Sequence, residues 1–274
     1  MKQSLFSLEG KRAVVTGGAG ILCYALSRGL AQAGAEVILA DIRSDAAESA
    51  AAALRGEGLS ASALCVDVVD PDSLDRAVEM VAKGGRLDIL LNGAGGNQAP
   101  ATTSPENSFF DIPFEALHRV VDLNLFGGAI LASQRFGKMI AANPEGGTIL
   151  NISSIVGLRP ITLVPGYAAA KAGINNFTQW LAVHLAREYN PALRVNAIAP
   201  GFFLTEQNRY LLTEKETGDY TARGRLVLER TPMGRFGDPR EWVGTALYLC
   251  SDAARYVTGI VVPVDGGFTA DAGV

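Results

Sequence analysis

Short runs of Val, Ile, Leu and Ala alternate along the chain with longer stretches whose apolar positions recur at helical spacing. The runs at 13–16, 36–41, 63–67, 88–92, 148–153, 194–199 and 260–264 predict strands. Helices are predicted over 22–33, 44–55, 72–83, 113–142, 165–189 and 239–250, where good helix formers dominate. Strands that are apolar on both faces and separated by helices require a parallel sheet covered on each side. The fold class is therefore α/β and doubly wound, with ligands expected at the carboxyl ends of the strands. No linker, repeat or low-complexity tract interrupts the pattern, so 1–274 reads as one domain. Two segments break the rhythm. The first, 99–112, is polar and contains proline; the second, 202–230, mixes aromatic and charged residues. Long connections of this kind tend to carry binding functions, and 202–230 reads as a substrate lid.

Composition narrows the possibilities. Hydrophobic residues make up 48% of the 274 and charged residues 19%, which excludes a disordered chain. The balance of 24 basic against 28 acidic residues leaves no basic stripe for nucleic acid. Cys23, Cys65 and Cys250 are odd in number and far apart, which argues for a reducing compartment rather than a disulfide framework. No apolar stretch is long enough to span a bilayer, and the first residues lack the apolar core of a signal peptide. The expectation is a cytoplasmic protein with no membrane partner.

The chemistry lies at the predicted strand ends. The first strand runs into Thr16-Gly17-Gly18-Ala19-Gly20-Ile21-Leu22 and then a helix. Glycines there let the backbone approach a pyrophosphate, whose charge is favoured at the helix N-terminus. Many tight turns need glycine, but Asp41 ends the second strand, where a carboxylate meets the ribose hydroxyls of a dinucleotide. Asp67 and Val68 close the third strand and are placed to hold an adenine. Asn92, Gly93, Ala94 and Gly95 end the fourth, with small residues that admit a ribose. Ser153 and Ser154 end the fifth strand, and Tyr167 and Lys171 follow on one face of the next helix. A phenol of ordinary pKa near ~10 is a poor base at neutral pH, so the Lys171 ammonium and a positively charged nicotinamide are expected to lower it. Ser154 is then placed to hydrogen-bond the oxygen that gains or loses the proton.

These motifs closely resemble those of the classical short-chain dehydrogenase/reductase family over nearly the whole chain. The carriers are TGGAGIL at 16–22, NGAG at 92–95, Asn124 in DLNLFG, NISS at 151–154, YAAAK at 167–171 and PGFFLT at 200–205. The resemblance implies a seven-stranded Rossmann-type sheet and an NAD(P)-dependent enzyme. It makes Tyr167 the catalytic acid/base, with Ser154 orienting the substrate oxygen and Lys171 tuning Tyr167 and binding the nicotinamide ribose. Asn124 would position a water in a proton relay; read from the residues alone, it is equally a cap or kink residue in a helix. Pro200, Gly201 and Phe203 would cradle the nicotinamide through their backbone, together with Thr205. One departure stands out: Ile21 and Cys23 occupy positions where the family's T-G-x-x-x-G-x-G loop has glycine, and Gly20 falls one place early. Contacts to the pyrophosphate at Gly20 and Leu22 are therefore open.

Within the family, TGGAGILC, NGAGGNQ followed two residues on by ATT, and APGFFLTEQNRYLL resemble short-chain-type D-mannonate oxidoreductases (fructuronate reductases). A sugar-acid substrate is the resulting expectation, with gluconate and polyol dehydrogenases and 3-oxoacyl-carrier-protein reductases as alternatives. Its hydroxyls and carboxylate need polar partners and a cation. Asn97, Gln98, Arg159, Gln207, Asn208 and Arg209 are candidates of the right kind. NAD(H) is expected over NADP(H), because Asp41 would repel a 2′-phosphate, although Arg43 lies two residues on. A homotetramer follows from the resemblance, and Ala168, Ala172, Phe177 and Trp180 lie beyond one plausible core face.

Other classes fare worse. A Ser/His/Asp hydrolase lacks a G-x-S-x-G elbow, and the two histidines, His118 and His184, sit on helical patterns without ligating neighbours for a metal. A non-catalytic NAD sensor of the same fold would be expected to lose Ser154, Tyr167 or Lys171, and all three are present.

Overall fold

Apolar strands need cover on both faces, and the helices between them supply it. The computed structural model describes residues 4–205, 209, 212–215 and 217–273. Its first half alternates strictly: β1 (Arg12–Thr16), α1 (Ile21–Gln32), β2 (Glu36–Asp41), α2 (Ser44–Gly56), β3 (Ala61–Cys65), α3 (Pro71–Ala82) and β4 (Ile89–Asn92). The second half contains α4 (Phe114–Val121), a π-helical segment (Asp122–Leu131), α5 (Ala132–Ala141), β5 (Gly147–Ile152), α6 (Pro165–Glu188) and β6 (Leu193–Pro200). It closes with α7 (Ala222–Glu229), α8 (Val243–Cys250) and β7 (Val261–Val264). All seven strands are parallel, in the order β3-β2-β1-β4-β5-β6-β7. The order reverses between β1 and β4, and a crevice opens at such a switch point. The doubly wound sheet matches the expectation from the hydrophobic pattern.

The sheet is dry on both sides. Leu26, Leu30, Leu54 and Trp242 pack against one face, while Leu74, Phe136, Ile140 and Leu181 pack against the other. No helix among the described residues is long and apolar enough to cross a membrane.

Three elements differ from the sequence reading. The predicted helix 113–142 runs from Phe114 to Ala141 but widens to π geometry over ten residues. Its cause is tertiary. Asn124 Nδ2 donates to the carbonyls of Val120 and Gly96, and a Cβ on Gly127 or Gly128 would collide with the Val68 or Ala94 carbonyl. The helix is thereby pressed against two strand-end loops, and π-bulges commonly occur at such functional contacts. The segment 202–230, read as a loop, contains α7, capped by the Thr221 side chain, which accepts from the Gly224 N–H. The predicted helix 239–250 begins only at Val243, after the turn in which Asp238 accepts from the Arg240 side chain.

Candidate active site

A cavity of about 370 Å³ lies over the carboxyl ends of the strands, centred on the β1/β4 switch point. At its mouth the turn after β1 needs glycine at Gly17, whose φ is +65°. A Cβ there would stand 2.9 Å from the Ala94 Cα and the Gly93 oxygen. Thr16 Oγ1 ties the two loops by accepting from the Gly93 and Ala94 amides at 3.1 and 3.2 Å. Gly20 and Leu22 line the cavity at the start of α1, whose first-turn amides have no intrahelical acceptor.

Cys23 faces the same cavity where the family loop has glycine. Its Sγ sits against Gly93 and donates to the Gly93 carbonyl at 3.7 Å; any Cβ on Gly93 would run into it. The missing glycine in one loop is thus matched by a glycine in the other. Burial pushes the Cys23 thiol up to about 12, so it serves as packing rather than as a nucleophile.

Asp41 is buried at the rim. One oxygen accepts from the Ala19 amide at 3.2 Å and the other from the Arg43 amide at 3.0 Å, with Arg43 Nε at 3.3 Å. Asp67 and Val68 also line the cavity, with Asp67 Oδ1 accepting from the Val69 amide. Gly93, Ala94, Pro200 and Thr205 complete its wall.

Several expected residues are not there. Asn92 is held inside the fold: its Nδ2 donates to Ser133 Oγ at 2.9 Å and Asn151 Oδ1 at 2.8 Å, while its Oδ1 is buried without a hydrogen-bond partner. It links β4 to β5 and α5 and meets no ribose, because the last residue of β4 points its side chain beneath the sheet edge. The Gly201 amide is spent on the Val264 carbonyl, and the Phe203 ring is buried against Trp242; neither lines the cavity. Asn97 donates to Thr102 Oγ1 and Gln98 to the Ala116 carbonyl, so both brace their own connection. Arg159 donates to the carbonyls of Thr269 and Asp271, which fastens it to the C-terminal segment. Arg209 is exposed, its amide donating to the Thr205 carbonyl, and Gln207 and Asn208 lie outside the described residues.

At the inner end, Ser154, Tyr167 and Lys171 come together. The Ser154 hydroxyl is hydrogen-bonded to Tyr167, and Lys171 Nζ lies 5.4 Å from the Tyr167 ring centroid while donating to the Ile152 carbonyl at 2.8 Å. A Cβ on Gly95 would meet Asn124 Oδ1 at 2.6 Å and Lys171 Nζ at 3.5 Å, so amide and ammonium border the same small space.

The electrostatics contradict one expectation. Burial pushes the Tyr167 phenol up to about 12, and only the Ser154 hydrogen bond opposes it. Lys171 does not lower it, because the ammonium stands over the ring face and is itself driven down to about 8 by burial. Desolvation outweighs the charge. In the protein alone, Tyr167 is a proton donor held ready.

Trp242 also lines the cavity, and nothing in the sequence pointed to it. It precedes α8, far along the chain, and lines the cavity because α8 packs beside α1.

Comparison with known proteins agrees with this geometry. A family model described as enoyl-(acyl carrier protein) reductase matches residues 18–269. The uncharacterized oxidoreductase UxuB of Bacillus subtilis (strain 168) is 45% identical over 278 residues, with 98% of each chain covered. A candidate D-mannonate oxidoreductase from Haemophilus influenzae, solved with bound NAD, is 38% identical with a TM-score of 0.91, covering 98% of each chain. A gluconate 5-dehydrogenase from Burkholderia cenocepacia, solved with NADP and tartrate, is 31% identical with a TM-score of 0.87; the match covers 99% of this chain and 100% of that one.

Proposed function

Because the chain belongs to the short-chain dehydrogenase/reductase family, NAD(P)-dependent oxidoreductases acting on alcohol and ketone groups, we propose that its substrate is an open-chain sugar acid. Reduction of fructuronate to mannonate is the leading case. The observation that carries the catalytic part of this reading is the Ser154–Tyr167–Lys171 cluster at the inner end of a cavity whose rim holds Asp41. Mannonate and gluconate in the names of two similar structures support the substrate class. An acyl thioester is disfavoured, because Phe203 is consumed in the core and Phe202 meets Phe268 edge-to-face at 5.3 Å, leaving no apolar channel from them.

A dinucleotide fits the residues present. Gly17 leaves room for a backbone approach, Asp41 offers acceptors to ribose hydroxyls, and the open amides of α1 suit a pyrophosphate. When bound, its nicotinamide supplies or accepts the hydride. The protein's part is proton transfer and positioning. Ser154 Oγ hydrogen-bonds the substrate oxygen, and Tyr167 Oη gives that oxygen its proton in reduction or takes it in oxidation. Lys171 holds the ribose and supplies positive charge beside the phenol. Asn124, with both amide atoms bonded to Gly96, fixes the floor beside Lys171 for a proton-relay water.

The test is a rate comparison across fructuronate, tagaturonate, 5-ketogluconate, a neutral ketose and an acetoacetyl thioester. A sugar acid is expected to have the highest kcat/KM. Strong thioester turnover without any sugar-acid turnover would overturn the reading.

The cofactor in this reading is NAD(H) rather than NADP(H). Asp41 accepts from both ribose hydroxyls, and its charge opposes a 2′-phosphate. Arg43 is already engaged with that carboxylate, which blunts but does not reverse the preference. Asp41→Ala removes charge-assisted hydrogen bonds and frees Arg43, so the NADH/NADPH ratio of kcat/KM should fall by about 10- to 100-fold. Equal use of both cofactors by the unmodified enzyme would refute the role of Asp41.

The working unit is a homotetramer. On α6, Ala172 and Trp180 (56% exposed) face outward, whereas Ala168 and Phe177 are half-buried; Phe114 on α4 is 71% exposed. A second copy of the same chain would cover these helix faces. Light scattering at micromolar concentration should return about four times 28.8 kDa; a monomer mass would contradict it.

A further inference from the structure

A catalytic hydroxyl at the tip of a strand has to be held in place, because a misplacement of about 1 Å can cost about 100-fold in rate. Ser154 lies past the end of β5, and its local restraint is slight: its hydroxyl caps a 3-10 turn at Ile155–Gly157 by accepting from the Val156 amide at 3.4 Å. Its other hydrogen bond reaches Tyr167, which stands on α6. The spacing of the two reacting groups therefore depends on how that turn is fastened to that helix.

The fastening runs through Asn175. It follows Lys171 by one helical turn and Tyr167 by two, so the three side chains leave the same face of α6. Asn175 Nδ2 donates to the Gly157 carbonyl at 3.0 Å, and its Oδ1 accepts from the Ser153 hydroxyl at 2.5 Å. Chemistry fixes which amide atom faces which partner: a backbone carbonyl can only accept, so the nitrogen has to face Gly157. One side chain thus grips the chain on both sides of Ser154. Ser153 is buried, and its oxygen also lies 3.2 Å from the Lys171 carbonyl. Gly157 presses on the same stretch of helix. A Cβ there would stand 2.6 to 2.9 Å from the Lys171 carbonyl group and the Ala172 nitrogen. Asn175 itself is not among the residues that line the cavity.

We propose that Asn175 is a positioning residue for Ser154, clamping the chain on either side of it so that its hydroxyl stays against Tyr167. The inference rests on the reading of Ser154 and Tyr167 as the pair that handles the proton, and it assigns the group that fixes their spacing. Asn175 acts on the chemical step. The dinucleotide contacts at Gly17 and Asp41 belong to β1 and β2 and do not depend on it.

The test is a double-mutant cycle between Asn175→Ala and Ser154→Ala, run with NADH and the carbonyl substrate of highest kcat/KM among those compared above. Alone, Asn175→Ala should lower kcat by about 10- to 100-fold and leave KM for NADH within about twofold. In the Ser154→Ala background the same substitution should change kcat by no more than about twofold, since nothing is left to position. Without substrate, amide hydrogen exchange at Gly157 and Leu158, which donate within the turn, should be about five- to tenfold faster in Asn175→Ala. If Asn175→Ala does not fold, Ser153→Ala removes the other half of the grip and should show the same non-additivity with a smaller loss. Equal fold losses in both backgrounds would mark a general structural role and overturn the proposal, as would unchanged kcat or unchanged exchange in Asn175→Ala. Normal turnover by Ser154→Ala would instead overturn the reading of Ser154, and no turnover of any of those carbonyls by the unmodified protein would overturn the functional reading; either takes this inference with it.

Discussion

Replacing Tyr167 by phenylalanine is expected to lower kcat by about 10²–10⁴-fold, the range lost when a general acid–base group is removed. The ring stays in place beside Lys171, 5.4 Å from the ammonium, so the cavity wall and its apolar contacts persist. Only the hydroxyl and its hydrogen bond to Ser154 disappear. That hydroxyl is the one group at the inner end positioned to exchange a proton with a substrate oxygen held by Ser154. NADH affinity, measured by fluorescence titration, should stay within a few-fold. Near-normal turnover by the variant would remove Tyr167 from the mechanism. The phenol's raised pKa also has a direction in pH: reduction needs the protonated form, which persists across neutral pH, whereas oxidation needs the deprotonated form and should accelerate as pH rises. Oxidation that slows between neutral and mildly alkaline pH would contradict this assignment.

Lys171→Met should move activity and the pH dependence of stability in separate ways. The ammonium serves both the ribose and the reacting centre, so kcat should fall by about 10²–10³-fold, the loss typical of a preorganised donor, and KM for NADH should rise. For stability, the ordinary lysine value of 10.5 is lowered to about 8 in the folded, ligand-free protein. Below pH 8 both folded and unfolded states are protonated, and the folded state carries the full cost of a buried ammonium. Between pH 8 and 10.5 the folded state releases the proton while the unfolded state keeps it, so the stability contributed by this site rises with pH. The whole excursion is about 3 kcal/mol, at 1.36 kcal/mol per pKa unit. Tyr167 acts in the opposite direction only above pH 10, where the unfolded phenol ionises before the folded one. Subtracting the denaturation profile of Lys171→Met from that of the unmodified protein isolates the lysine. The difference should climb from pH 8 to 10.5, and a flat difference would refute the buried ammonium.

Much of this molecule is written locally. A strand apolar on both faces and a helix with a regular stripe are short-range facts, and so all seven strands and the principal helices were legible from the pattern, with ends displaced by a few residues. Gly17, Asp41, Ser154, Tyr167 and Lys171 were legible for the same reason. Each sits at a strand end or one helical turn on, and the topology of a parallel sheet carries strand ends to one edge. Glycine at position 17 is demanded by a positive φ, a requirement visible in a single residue type.

What tertiary structure decided is where a side chain finds its partners. Asn92 resembles a ribose contact in sequence, yet its Nδ2 is taken up by Ser133 and Asn151, which lie 41 and 59 residues away, and its side chain is buried. Arg159 resembles a substrate cation, but carbonyls 110 and 112 residues on take its donors. The π geometry around Asn124 and the upward shift of Tyr167 have the same origin, in contact with distant backbone and in loss of water. Periodicity and turn chemistry are properties of neighbours along the chain, so the sequence alone determined the sheet and the reacting cluster. Hydrogen-bond satisfaction and desolvation depend on residues brought together from everywhere in the chain, so only the folded structure decided which polar groups remain free to meet a ligand.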